Sequence, residues 1–205
     1  AAVQSWTVYD GDGSDANPYA DFTAAGALGV RYLYGPAVDA ILARTSSGGT
    51  SAWYLSDKLG TIRNVANTSG AVIDHVVYDS FGKVISETGP TNGDRFKFTG
   101  REYDVETGNY YYRARFYDPT IGRFMGQDPK SFAAGDYNLY RYVGNGPTDR
   151  VDPSGLDAQA ADAQQAAMMK TGDPTGNPDF VKKQDRVAYL ESLKMKMYNA
   201  TTQIA

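Results

Sequence analysis

The central part of the chain alternates between short β-prone runs and turn residues. β-Branched and aromatic residues are concentrated at 52–55, 61–65, 71–78 and 84–85. Glycines at positions 60, 70 and 82 separate these runs, so the turns recur every ten to twelve residues. Short strands at this spacing are typical of antiparallel hairpins. The pattern therefore predicts an all-β structure for this region.

A fourteen-residue repeat follows, with copies at residues 103–110 and 117–124. Each copy reads Tyr-Asp, three residues, Gly, one residue and an aromatic residue, and a shorter version lies at 78–82. The aspartate can accept hydrogen bonds from its own turn, the glycine can adopt positive φ, and the tyrosines can pair across strands. Such periodicity is typical of stacked structural units.

The pattern changes after residue 156, where the chain becomes richer in Ala, Gln and Met. Asp157 is a candidate N-cap for a helix over 157–170. Residues 171–178 are rich in Gly and Pro and predict a linker. Asn177 and Pro178 then open a second predicted helix, whose apolar residues fall on one stripe. This composition shift marks a domain boundary.

Composition excludes several classes of function. The 205 residues contain no cysteine and a single histidine, His75. Disulfides, cysteine-bound zinc, iron–sulfur clusters, thiol catalysis and sites with two histidine ligands are thereby excluded. The net charge of −4 gives no electrostatic footprint for nucleic acid. No apolar run approaches the ~20 residues of a membrane-spanning helix, so no membrane span is expected.

The acidic run at residues 10–15 superficially resembles a calcium loop. Its sixth position is Asp15, where such a loop requires glycine, and its closing position is Asp21 rather than glutamate. A polar turn is the favoured interpretation. We expect no metal site and no other cofactor.

Seven motifs in residues 31–156 carry a resemblance to a known family. They are Tyr-Asp-Ser-Phe-Gly (78–82), Phe-Thr-Gly-Arg-Glu-Tyr-Asp (98–104), Tyr-Tyr-Arg-Ala-Arg-Phe-Tyr-Asp-Pro (111–119), Gly-Arg-Phe (122–124), Gln-Asp-Pro (127–129), Asn-Leu-Tyr-Arg-Tyr-Val-Gly-Asn (138–145) and Asp-Pro-Ser-Gly-Leu (152–156). Their order and spacing resemble the RHS-repeat-associated core, the C-terminal block of Rhs and YD-repeat proteins. The chain then divides into a preceding repeat or strand segment (1–30), the core (31–156) and a variable helical extension (157–205).

The resemblance implies a mainly β fold, in which antiparallel YD-repeat hairpins form part of a spiral β-sheet shell with a short α-helical C-terminal extension. It implies that the core plugs the shell and cleaves its own chain after Leu156 as an aspartyl autoprotease. The scission at Leu156–Asp157 coincides with the composition boundary. It further implies a bacterial protein that is secreted or held at the cell surface. Its partners would be upstream repeats of the same chain or another copy, with oligomerisation through open strand edges.

Aspartyl chemistry needs two carboxylates that share a proton, one ionised to activate water and one neutral to act as a proton donor. Asp152 lies four residues before the scissile carbonyl, and Pro153 and Gly155 suit the second and fourth positions of a type I turn. By resemblance, Asp128 is the second carboxylate, with Asp136 in reserve. Arg115 is the predicted cation that holds the carboxylates or polarises the Leu156 carbonyl, with Arg123 as its alternative.

A non-catalytic interpretation stays open at this stage. Asp-Pro-Ser-Gly is an ordinary turn sequence, and arginines commonly pair with acids, so a structural or cell-surface β-module with a docking or assembly tail also accounts for these residues. The 49 residues from 157 to 205 contain neither His nor Cys, which disfavours a nuclease or deaminase in this segment.

Overall fold

The computed structural model describes residues 5–10, 16–35 and 39–160. Its first sheet contains eight antiparallel strands in chain order, so each strand pairs with the one that precedes it. The strands are β1 (Ser5–Asp10), β2 (Asn17–Thr23), β3 (Leu28–Tyr34), β4 (Ile41–Ser46), β5 (Ser51–Ser56), β6 (Ile62–Asn67), β7 (Val72–Tyr78) and β8 (Val84–Glu87). The strands predicted between residues 52 and 85 are confirmed. β3 crosses the boundary drawn at residue 30, and the sheet is continuous there.

Three successive turns of this sheet share the same hydrogen-bonding pattern. Asp57, Asn67 and Asp79 each accept backbone N–H bonds, through one side-chain oxygen, from the residues two and four positions further on. The glycine three positions after each adopts positive φ, between 79° and 87°. Asx turns of this kind explain why the predicted turn positions are correct.

The fourteen-residue repeat forms a second, four-stranded antiparallel sheet. Its strands are β9 (Glu102–Asp104), β10 (Asn109–Tyr112), β11 (Arg115–Asp118) and β12 (Arg123–Phe124). Tyr110 lies opposite Tyr103 on one side and Tyr117 on the other, as the repeat predicts. Asp104 and Asp118 accept N–H bonds within their own turns.

Four tyrosines, three from this sheet and one from outside it, form a core in which the hydroxyl groups are hydrogen-bonded. Tyr110, Tyr112, Tyr117 and Tyr142 are fully buried. The Tyr112 hydroxyl lies 2.7 Å from Thr99 Oγ1 and 3.1 Å from the Tyr142 hydroxyl. These bonds satisfy polar groups that would otherwise be costly to bury.

Residues 92–97 lead from the first sheet toward the second and form buried or half-buried ion pairs. Arg44 of β4 pairs with Asp94 at 2.5 Å, and Arg95 pairs with Asp21 of β2 at the same distance. Lys97 pairs with Glu87 at 2.6 Å. The contacts hold this segment against strands from both halves of the first sheet.

The chain beyond residue 156 differs from the helix predicted there. Gln159–Ala160 is a short strand, β14, which pairs antiparallel with β13 (Arg150–Val151). The turn at 152–155 reverses the chain, so residues 159 and 160 lie opposite β13, and Asp157 is not a helix N-cap. The remainder of the predicted helical extension, and the acidic run at 11–15, lie outside the described residues. Within the described ranges, no helix is long and apolar enough to cross a membrane.

Candidate active site

The predicted turn at Asp152–Gly155 is closed by a hydrogen bond from the Gly155 N–H to the Asp152 carbonyl, at 3.4 Å. Gly155 has φ of 72°. A Cβ at this position would lie 2.3 Å from the Tyr112 carbonyl oxygen. The position therefore requires glycine both for its backbone angle and for the close approach of β10.

The tip of the β10–β11 hairpin binds three consecutive carbonyls of this turn, those of residues 153 to 155. Arg113 Nη1 donates to the first, and the Ala114 N–H donates to the second at 3.2 Å. Arg115 Nε donates to the third, the Gly155 carbonyl, at 2.5 Å. The segment that leads to Leu156 is thus held by backbone and side-chain donors of a single hairpin.

Arg115 also joins two carboxylates that are far apart in sequence. Its Nη2 lies 3.1 Å from Asp128 Oδ2 and 3.4 Å from Asp152 Oδ2. The three side chains are only 5%, 8% and 3% exposed, respectively. The guanidinium carbon lies 3.6 Å from the centre of the Phe124 ring, which fixes the plane of the cation.

Asp128 is placed by the connection that follows β12. Its N–H donates to the Leu139 carbonyl at 2.9 Å, and the same carbonyl accepts from Arg115 Nη1 at 3.2 Å. Asp128 Oδ1 accepts the Lys130 N–H at 2.8 Å. These bonds leave Oδ2 directed toward Arg115.

Asp152 binds the peptide bond that the sequence predicts to be cleaved. Its Oδ1 accepts the N–H groups of Leu156 and Asp157, each at 3.0 Å, and the Ser154 hydroxyl at 3.3 Å. The Asp157 nitrogen belongs to the Leu156–Asp157 peptide. A carboxyl oxygen therefore lies within hydrogen-bond reach of the atom that would leave in hydrolysis of that bond.

Burial controls the electrostatics of the site. Desolvation raises the pKa of Asp152 above its ordinary value, and the N–H bonds from Asp157 and Leu156 and the charge of Arg115 oppose the rise. Desolvation also lowers the pKa of Arg115, against the effect of the Asp128 and Asp152 charges. A guanidinium stays charged at any ordinary pH. The site thus contains a permanent cation beside a carboxyl group whose pKa burial raises.

The side chains of the other candidates lie apart from this cluster. Asp136 pairs with Arg141 at 2.9 Å and accepts the Asn138 N–H, with about a third of its side chain exposed. Arg123 is exposed on β12. Asp157 is also exposed and pairs with Lys130. The structure therefore brings Arg115, Asp128 and Asp152 together and leaves the reserve residues outside.

Sequence reasoning did not single out Arg113 or its partner Asp39. Arg113 lies two residues before Arg115 in the same motif, and that proximity was the available signal. Asp39 lies in the connection between β3 and β4, more than seventy residues upstream, and no local pattern indicates its role. Among the described residues, no group of three or more His, Asp or Glu side chains is arranged to hold a metal ion.

Comparisons with known proteins agree with this architecture. The family model described as Teneurin YD-shell matches residues 30–148. The fold is thus that of an Rhs/YD-repeat shell domain, as the motifs predicted, and the chain belongs to the Teneurin YD-shell family.

Its curated relatives include proteins of several kinds. Salivary gland surface protein 1 of Aedes aegypti is 41% identical over 103 residues, which cover 49% of this chain and 3% of that protein. Toxin protein Tse5 of Pseudomonas aeruginosa is 36% identical over 51% of this chain and 8% of its own length. The tRNA3(Ser)-specific nuclease WapA of Bacillus spizizenii is 30% identical over 73% of this chain and 6% of its own length. The chain thus spans less than a tenth of each of these three relatives.

Solved structures share the fold. The Photorhabdus luminescens Tc holotoxin pore matches 71% of this chain and 8% of its own chain, with a TM-score of 0.54 and 23% identity. The TcdB2-TccC3-TEV crystal structure matches 74% of this chain and 6% of its own, with a TM-score of 0.52 and 22% identity. At these identities the likeness concerns the fold alone.

Proposed function

We propose that this chain is the core of a YD shell and that it hydrolyses its own Leu156–Asp157 peptide bond. The reaction is a single intramolecular turnover without a cofactor, and it separates the segment that begins at Asp157. One observation carries the proposal. A single buried guanidinium joins two carboxylates, and one of these carboxylates is hydrogen-bonded to the nitrogen of the bond to be cleaved.

The two carboxyl groups have different roles in this mechanism. Asp128 is the ionised base that takes a proton from water, and the resulting hydroxide adds to the Leu156 carbonyl carbon. Asp152, whose pKa is raised by burial, is the acid and gives its proton to the Asp157 nitrogen as the C–N bond breaks. The products are a carboxyl group on Leu156 and an amine on Asp157. Proton exchange with solvent restores the two aspartates.

Arg115 stabilises this reaction in two ways. Its Nη2 forms an ion pair with Asp128, the closer of the two carboxylates, and so holds the base in place. Its Nε bond to the Gly155 carbonyl fixes the residue before Leu156, so the scissile carbonyl has a defined position relative to both aspartates.

Conservative carboxylate variants test the assignment. Wild type, Asp128→Asn and Asp152→Asn are made by cell-free translation, labelled in a short pulse and followed on denaturing gels during the chase. We expect wild type to be converted to two fragments and both variants to remain uncut. Asp136→Asn is the matched control, since Asp136 is an arginine-paired aspartate outside the cluster, and it should be cut at the wild-type rate. Cleavage of Asp152→Asn at the wild-type rate would refute the mechanism.

Release of the segment after residue 156 fits a secreted or cell-surface protein, which the toxin-related relatives also favour. β1 and β8 are the two edges of the first sheet. Open edges pair readily with other strands. We infer that upstream repeats of the same polypeptide, or another copy, continue the sheet there.

A non-catalytic shell module is the second candidate. It is favoured by the hydrogen bonds around the turn, because ion pairing and turn geometry can account for Arg115, Asp128 and Asp152 without any reaction. In that case wild type and Asp152→Asn are both uncut in the pulse-chase experiment. The two functions are thus distinguished by a single comparison.

A further inference from the structure

A buried ion cluster lies next to the proposed active site but outside its reacting groups. Asp39, in the connection between β3 and β4, accepts hydrogen bonds from Arg101 Nη1 at 2.6 Å and Arg113 Nη2 at 2.7 Å. The side chains of these three residues are 7%, 5% and 9% exposed. Asp39 is thus the shared anion of two buried guanidinium groups.

This cluster connects the first sheet to the turn. Arg113 Nη1 lies 3.2 Å from Asp39 Oδ2 and also donates to the Pro153 carbonyl. Arg113 Nη2 additionally donates to Asn17 Oδ1, in β2, at 3.2 Å. The Arg113 side chain of the β10–β11 hairpin therefore bonds both to the first sheet and to the residue that follows Asp152.

The backbone at Asp39 is also held in place, by close packing against Gly100. Asp39 adopts φ of 59°, and a Cβ on Gly100 would lie 2.6 Å from the Asp39 carbonyl oxygen. Arg101 completes the contact by donating through Nε to the Tyr111 carbonyl at 3.0 Å. The position of the Asp39 carboxylate is thus determined by packing. The carboxylate in turn orients the guanidinium group of Arg113.

We propose that Asp39 is a positioning residue for self-cleavage and that it acts through Arg113. This inference rests on the proposed function. In the described part of the chain, Asp39 makes no hydrogen bond to Asp128, Asp152 or the Leu156–Asp157 bond, so it takes no part in proton transfer. Its role is to hold the Pro153 carbonyl at the distance at which Asp152 meets the Asp157 nitrogen.

The consequence is regulatory. Asp39 lies between two strands of the first sheet, and the two arginines come from the segment that packs on that sheet, so the cleavage geometry is complete only when Asp39 is in contact with Arg113. Cleavage is thereby coupled to folding of the sheet, and a nascent or partly folded chain stays uncut.

The test uses the full chain in the pulse-chase format, with Asp39→Asn, Arg113→Gln and the double variant. Asparagine tolerates positive φ, so Asp39→Asn removes the charge and keeps the backbone conformation. We expect each single variant to be cleaved about tenfold to about a hundredfold more slowly than wild type, as is typical when reacting groups lose alignment. The double variant should be no slower than Arg113→Gln alone, because Asp39 acts through Arg113.

Asp94→Asn is the matched control. Asp94 is a buried, arginine-paired aspartate of the same molecule whose partner, Arg44, lies on β4 away from the turn. It should lower the thermal midpoint by an amount similar to Asp39→Asn and leave the cleavage rate unchanged. Multiplicative slowing in the double variant, as expected of a general loss of stability, would overturn the positioning role.

The outcomes separate this inference from the function on which it rests. An uncut wild type overturns the self-cleavage proposal and the positioning role together. A wild type that is cut, with Asp39→Asn and Arg113→Gln cut equally fast, overturns the positioning role alone. If Asp39→Asn does not fold, the cleavage rate of Arg113→Gln is compared with that of Asp94→Asn. Equal cleavage rates of these two variants would again reject the inference.

Discussion

Asp152 combines two opposed influences on one carboxyl group. Two backbone N–H groups and Arg115 stabilise its charge, while nearly complete burial disfavours it, and the net effect is a raised pKa. A carboxyl group in this balance can accept hydrogen bonds in the resting chain and supply a proton during the reaction. The pH dependence of cleavage should reflect this balance.

We predict a cleavage rate that falls with rising pH. In the proposed mechanism Asp152 must be neutral to give its proton, so the rate falls as pH rises through the raised pKa of that group. Uncut chain refolded from denaturant should therefore be cleaved faster near about pH 5 than near about pH 8, since aspartate titrates ordinarily at about 3.9. A rate that increases steadily up to pH 8 would contradict the assignment of Asp152 as the acid.

Gly155→Ala should abolish cleavage and destabilise the fold. The added Cβ combines positive φ, which costs about 1–3 kcal/mol, with a 2.3 Å approach to the Tyr112 carbonyl oxygen. Gly70→Ala is the control, because Gly70 has φ of 82° and nothing within 4 Å of a Cβ. Urea unfolding in an uncut Asp128→Asn background should show the larger loss for Gly155→Ala. Equal losses would mean that the close approach to β10 is unimportant.

Residue-level prediction succeeded where the signal was local. The turn glycines and aspartates follow from Asx-turn chemistry, and so does the turn that begins at Asp152, whereas the catalytic role of Asp152 stays a prediction. Strand alternation could also have chosen Arg115 over Arg123, since Arg115 shares a face with buried Tyr117, whereas Arg123 precedes buried Phe124 and is exposed. Asp128 required the family resemblance, and Asp39 could not be identified, because each meets its arginine partner only through tertiary packing.

At the scale of elements, the β10–β11 hairpin is the structural basis of the site. Its strands belong to the second sheet, which carries the buried tyrosines. Its tip presents Arg113, Ala114 and Arg115 to three consecutive carbonyls. The repeat that indicated a structural layer in the sequence therefore also builds the candidate active site. The helix expected from Asp157 onward was wrong over its first residues because the Asp152 turn directs the chain back along β13.

The buried tyrosines of the second sheet give a prediction about stability. Tyr112→Phe removes a buried hydroxyl that bonds both Thr99 and Tyr142, and it should lower the free energy of unfolding by about 1–3 kcal/mol. Tyr137→Phe is the control, since Tyr137 is 92% exposed and should have almost no effect. Denaturant unfolding of the two variants measures the difference. An equal response would show that the hydroxyl network contributes little to stability.

At the scale of the whole molecule, the site is built from distant parts of one chain. Arg115, Asp128 and the Asp152 turn converge on the hairpin, and Asp39 links them to the first sheet. In the proposed reaction the substrate is the segment that directly follows Asp152, so no encounter with another chain is needed.

Cleavage should therefore be independent of protein concentration. Diluting the refolding chain tenfold should leave the half-time unchanged, because the reaction is first-order within one molecule. Mixing an unlabelled wild-type chain with labelled Asp152→Asn should leave the labelled chain uncut. Appearance of labelled fragments in that mixture would show that one copy cleaves another.

The most direct test of self-cleavage is the intact mass of the denatured full chain beside Asp152→Asn. We predict that wild type gives two species, residues 1–156 and residues 157–205, whose masses sum to that of the chain plus one water. Asp152→Asn should give one uncut species near 22.2 kDa. A single 22.2 kDa species in both samples would contradict self-cleavage and leave the Asp152 turn as a structural element of the shell.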